Sequence, residues 1–77
     1  MDICPDLTVI QQEIAELLLD GSEMGSDEIV TFFREAFDYS PQAVMTSVLF
    51  LLSEGVLERA EHRKVRLTEK GLDSLLG

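Results

Sequence analysis

Apolar residues at Ile10, Ile14, Leu17 and Leu18 recur at the spacing of one helical face, and the run stops at Asp20-Gly21. Thr8, followed three residues later by Gln11, has the pattern of a capping box, so a first helix is predicted over residues 8 to 20. The stretch GSEMGS, residues 21 to 26, reads as a flexible loop. Ser26 is placed as the cap of a second helix. Asp27 and Glu28 in its first turn complement the helix dipole, and Ile29, Phe33, Ala36 and Phe37 form its inner face up to Asp38-Tyr39.

Ser40-Pro41 is the sharpest local signal: a serine N-cap followed by proline at the first helical position, where a missing N–H costs nothing. Val44, Val48 and Leu51 line one face of this third helix, and Gly55 falls where a left-handed C-terminal residue is needed. VLERA and VRLT are short and β-capable, and the polar EHRK between them predicts a hairpin. Thr68 then caps a short last helix, EKGLDSLL, with Leu72, Leu75 and Leu76 turned inward. Gly71 weakens that helix by about 1 kcal/mol relative to alanine, which predicts that it depends on docking.

Three helices, two strands and a helix form the arrangement of a winged helix-turn-helix, mainly α with a small β-hairpin as the wing and helix three in the recognition position. A three-helix bundle with a disordered tail is the structural alternative. One domain is expected over residues 1–77, with residues 1–7 flexible and no internal repeat.

SPQAVMTSVLFLLSEGVLERA followed by VRLTEKGLDSLL resembles the core of winged-helix transcription regulators of the multiple-antibiotic-resistance and phenolic-acid-regulator type, over about residues 26 to 76. The shared features are the Ser-Pro cap, the Glu-Gly-aliphatic-aliphatic step and the return into Leu-Thr-x-x-Gly. The resemblance implies sequence-specific DNA binding as a dimer, through the helix beginning at Ser40 and through the wing, and implies no ligand. At the positions that would touch DNA the chain departs from the pattern. The wheel turns Gln42, Ala43, Thr46, Phe50 and Ser53 outward, none of them basic, and Leu49 and Phe50 stand where such regulators carry Lys or Arg. Only Gln42, able to pair with adenine, and Thr46, able to meet a phosphate or a thymine methyl, offer readout there.

Met45, Leu49 and Leu52 widen the apolar arc of helix three to about 160°, beyond the roughly 100° that one packed face requires. Either helix one, the wing or the last helix covers them as core, or part of the stripe, with Phe50 or Phe32, is a dimer seam or a docking surface for a partner's helix.

Charge changes the picture. The 77 residues carry a net charge of -9, yet five of the six Lys and Arg residues fall between 59 and 70, so the molecule is an acid with one basic corner. An overall negative field opposes non-specific approach to nucleic acid or anionic membrane. Screening confines such fields to about 8 Å, so a local basic patch can still hold phosphate. If Arg59 to Arg66 form a hairpin, its turn residues His62, Arg63 and Lys64 project from the body, away from most of the carboxylates. The plainer account is that Glu58 or Glu61 pairs with Arg66 or Lys64 across the strands.

No enzyme constellation is visible. His62 is the single histidine and sits in a polar turn, and the lone Cys4 excludes an intrachain disulfide and a cysteine zinc site. Asp27-Glu28 and Glu13-Glu16 read as a helix start and a solvated face, and Gly21 and Gly25 lack the lysine and hydroxyl of a nucleotide cradle. No cofactor or metal is expected. MDICPDLTVI lacks an export signal's basic start and long apolar run, and Val48 to Leu52, the longest apolar segment, is too short to cross a bilayer, so a soluble cytoplasmic protein is expected. Two functions follow. One is a dimeric DNA-associated regulator using Arg59, His62, Arg63, Lys64 and Arg66 on phosphate with Gln42 and Thr46 at the groove. The other is a protein-binding module docking through Phe32, Met45, Leu49, Phe50 and Leu52.

Overall fold

The structure, a computed structural model, describes the backbone of residues 7–76 and the side chains of residues 9–73. The expectations for the first six residues, including Cys4, and for the side chains of Leu75 and Leu76 lie outside the described residues. The chain runs α1 (Leu7–Leu17), β1 (Met24–Gly25), α2 (Ser26–Phe37), α3 (Pro41–Ser53), β2 (Leu57–Arg59), a 3-10 turn (Glu61–Arg63), β3 (Lys64–Leu67) and α4 (Glu69–Leu76). It is mainly helical, with a small antiparallel sheet in the order β1-β3-β2.

The core gathers Ile10, Ile14 and Leu18 from α1 and its following turn, Ile29 and Phe33 from α2, Val44, Val48 and Leu51 from α3, Leu57 from β2 and Val65 from β3. α3 is central, packing on α1, α2 and β2. Its one buried polar side chain, Ser47, is satisfied by donating to the Ala43 carbonyl at 2.9 Å, so it carries no desolvation penalty of an unpaired hydroxyl.

Several expectations shift. α1 begins at Leu7, which makes Thr8 its second residue and not its cap. The helix ends at Leu17. Leu18 and Leu19 continue as a tightened turn, with the Leu18 N–H shared between the Ile14 and Ala15 carbonyls. The expected loop at 21 to 26 contains β1, whose Met24 and Gly25 pair with Val65 and Lys64. Gly25, in extended conformation, occupies the N-cap of α2, and Ser26 is its first helical residue. Ala36 and Phe37 are exposed, Phe37 at 51%, so the inner face of α2 stops at Phe33. Ala43, expected outside, is half-buried against the core.

Aromatic stacking fixes the link between α2 and α3. The rings of Phe37 and Tyr39 lie 5.7 Å and 5.9 Å from Phe33, and the Tyr39 hydroxyl sits 3.1 Å from a carboxylate oxygen of Glu13 on α1. Burial, and then this hydrogen bond to Glu13, push the Tyr39 phenol above its ordinary value of 10.0. Asp38 closes α2 in a left-handed conformation, a role its short side chain tolerates.

The far end of α3 is closed as its sequence predicts. Ser40 is the extended N-cap and Pro41 the first helical residue, although the Ser40 hydroxyl makes no capping bond. Gly55 takes φ +77°, its N–H reaching the Leu52 carbonyl and that of Val56 the Leu51 carbonyl, a Schellman closure. Thr68 ties this end to the last helix: its hydroxyl donates to the Gly55 carbonyl at 2.6 Å and accepts the Gly71 N–H at 3.0 Å, while its own N–H reaches the Val56 carbonyl at 3.0 Å. α4 docks so closely there that a Cβ on Gly71 would collide with the Val56 carbonyl and lie 2.7 Å from Leu67 Cδ1. Gly71 is the residue that permits the docking, and not merely a weak point of α4.

Two outcomes follow. Helix propensity alone makes Gly71→Ala stabilising by about 1 kcal/mol. The collision predicts instead a loss of about 1–3 kcal/mol in urea unfolding. Because the Tyr39 pKa is raised in the folded state, its contribution is fully present below pH 10.0 and is lost as pH rises through the folded value. Unfolding curves in alkali should therefore steepen for the natural chain relative to Tyr39→Phe.

Candidate interaction surfaces

α3 presents one face to the core and the other to solvent. With 100° per residue, Val44, Ser47, Val48 and Leu51 define the buried arc, and Met45, Leu49, Gln42, Ser53, Thr46 and Phe50 follow in that order around the open one. Met45 is 37% exposed, Leu49 51% and Phe50 45%. Leu52 is half-buried against the core and leaves the open stripe. Gln42 and Thr46 are exposed beside the apolar side chains. Helix α3 contains no acidic or basic residue in its 13 positions, although the chain as a whole has a net charge of -9. A solvent-facing helix of a charged protein ordinarily carries its charges on that side.

Phe32 is exposed on α2 but belongs to a different cluster, packed edge-on against Phe33 with ring centroids 5.1 Å apart. Phe37, also exposed, extends that aromatic group. Helical periodicity had assigned Phe37 to the core, so its exposure carried no signal in sequence.

The basic stretch forms the expected hairpin. β2 pairs with β3 in the register Leu57↔Leu67, Glu58↔Arg66 and Arg59↔Val65, and the Ala60 N–H closes the turn on the Lys64 carbonyl at 2.7 Å. Alternation along β3 buries Val65 and turns Arg66 out. Arg66 is not a free cation: its Nε donates to Glu58 at 2.6 Å and its guanidinium lies 3.7 Å from Glu23. Those carboxylates, Glu58 foremost, raise its pKa further. The Glu58 pairing matches the expected cross-strand bridge. Glu23 was invisible in sequence because only the pairing of β1 with β3 brings it there. All three side chains are solvated, so screening keeps the network's contribution small.

Arg59, His62 and Arg63 are exposed and Lys64 half-buried, and none of the four pairs with an acid among the described residues. His62 and Arg63 both adopt left-handed φ, +59° and +61°. Such positions favour Gly or Asn, and a bulky residue there costs about 1–2 kcal/mol. The tip therefore holds a cation where a glycine would fold more easily. A shallow hollow of about 390 Å³ beside it is lined by Glu23, Arg59, Ala60, Glu61 and Arg66, with acids and bases in equal number, so its charge attracts neither sign.

Among the described residues no cluster of three or more His, Cys, Asp or Glu side chains could hold a metal ion, and no helix is long and apolar enough to cross a membrane. Compared with protein-family models, curated proteins and solved structures, the chain matches none.

The left-handed tip is open to test: Arg63→Gly should raise stability by about 1 kcal/mol in urea unfolding, the strain released outweighing the added freedom of the unfolded chain.

Proposed function

We propose that this chain is a non-catalytic winged helix-turn-helix module, similar in build to the regulators it resembles, whose outward α3 face docks another protein. The observation that carries this is the absence of any charge from α3 together with the exposure of Met45, Leu49 and Phe50. A helix seated in a DNA groove needs donors for base edges and cations for phosphates. Here Gln42 and Thr46 are the only polar contacts of that kind on α3, and the exposed Asp27 and Glu28 open the preceding helix with negative charge. Exposed apolar side chains flanking a small polar centre suit instead a packed protein contact, whose energy concentrates in a few large residues. The single cysteine favours a reducing, cytoplasmic setting.

A second reading, DNA association through the wing, is favoured by Arg59, His62, Arg63 and Lys64 at the hairpin, which pair with no acid among the described residues. Those side chains could neutralise about three phosphates, giving weak and strongly salt-dependent binding.

The two readings respond oppositely. With immobilised chain, α3 docking predicts that Leu49→Asp lowers partner retention at least tenfold, that Arg63→Glu with Lys64→Glu leaves it intact, and that raising salt from about 50 to about 500 mM changes it little. Equal retention by Leu49→Asp overturns the proposal. A duplex-DNA shift at low salt that disappears in the Arg63→Glu, Lys64→Glu variant supports the wing reading in its place.

A further inference from the structure

On α2 a cation is missing from the place where a helix ordinarily supplies one. Glu28 and Glu35 are exposed, and neither pairs with a base among the described residues. Carboxylates on a solvated helix are ordinarily answered by Lys or Arg three or four residues away. The position four residues after Glu28 and three before Glu35, from which one cation would answer both, holds Phe32, and Phe32 is 40% exposed. The single base of α2, Arg34, follows another line of the helix, about 100° around the axis from Glu35.

Helix geometry brings the three side chains onto one stripe. Phe32 stands about 40° from Glu28 and about 60° from Glu35 around the axis, and about 6 Å and about 4.5 Å from them along it. Both carboxylates therefore border the same side of the ring, one from the turn before and one from the turn after. Ala36, about 40° beyond the ring on its other side, is exposed and too short to cover it. The perpendicular contact with Phe33, 5.1 Å between ring centroids, holds the phenyl group in place.

Charge selects what can cover this stripe. An apolar occupant would bury two carboxylates without partners, which is costly, whereas a cation satisfies the carboxylates and the negative face of the ring together. The net charge of -9 steers cations toward the chain before contact. Guanidinium fits better than ammonium, because its plane stacks on a phenyl ring while its N–H groups remain free to donate sideways to carboxylates. We infer that the Glu28–Phe32–Glu35 stripe of α2 binds an arginine side chain of a basic partner segment, with the guanidinium stacked on Phe32 between the two carboxylates. The stripe shares no residue with the α3 face, so it stands or falls apart from the docking reading above.

Nuclear magnetic resonance titration of the full chain with a capped tri-arginine peptide at about 20 mM salt tests this, with the uncharged tri-citrulline peptide as reference. The expected result is saturable shifts centred on the Phe32 ring protons and the amides of residues 28 to 36, and none with tri-citrulline. Phe32→Leu keeps the charges and an apolar side chain but removes the aromatic face, and should weaken binding by about two- to fivefold. Glu28→Gln with Glu35→Gln should weaken it by about fivefold. Glu16→Gln with Asp73→Asn, which removes the same charge from exposed positions elsewhere, should weaken it by less than about twofold. Leu49→Asp should leave it unchanged, which separates this result from any failure of α3 docking. Shifts spread evenly over the acidic surface, equal losses from the two double variants, or a Phe32→Leu chain that binds like the natural one overturns the inference.

Discussion

The fold hangs on one junction, where Thr68 joins the end of α3 to the start of α4. Gly55 turns the chain out of α3, and its carbonyl accepts the Thr68 hydroxyl, while the same oxygen of Thr68 accepts the Gly71 N–H as the cap of α4. Strands β2 and β3 leave and return at this point, so one side chain aligns a helix end, the base of the hairpin and the next helix. Lys70 strengthens it by donating to the Glu54 carbonyl at 2.7 Å. These 77 residues have little core to spare, and such local closure supplies order that burial alone would not.

From that junction follows a separation of tasks along the sequence. The hydrophobic residues of α3 that point inward meet α1, α2 and β2, and Met45, Leu49 and Phe50, which point outward, stay exposed. The basic residues are carried on the hairpin instead, where Glu58 and Glu23 already answer Arg66 and leave the turn itself cationic. Exposed apolar side chains and exposed cations thus lie on different elements.

How far the sequence was legible depended on the range of the interactions involved. Ser40-Pro41, Gly55 and Thr68 announce their elements because capping and left-handed turns are decided within a few residues. The hairpin was legible for the same reason, its strands being separated by a short polar turn. Strand β1 was not: two residues have no periodicity, and Met24 and Gly25 become a strand only because β3 passes beside them. The inner face of α2 was overextended because a helical wheel cannot tell where the core ends, and Phe37 lies past that edge. Gly71 was read as a weakness for a related reason, since the nearness of Val56 that requires it arises only in the folded chain. Among the proposed contact residues, the exposure of Met45, Leu49 and Phe50 and the half-burial of Leu52 needed the packing to be known.

Strand β1 lies along one flank of β3, so the borders of the sheet are β1, two residues long, and β2. The β2 border spans three residues, two of which, Glu58 and Arg59, are charged and exposed. A strip so brief and so polar is a poor template for strand-by-strand growth. The protein can therefore display greasy side chains on a helix without courting fibrous polymerisation, since the route by which small sheets string themselves into endless ribbons is blunted at its own hem.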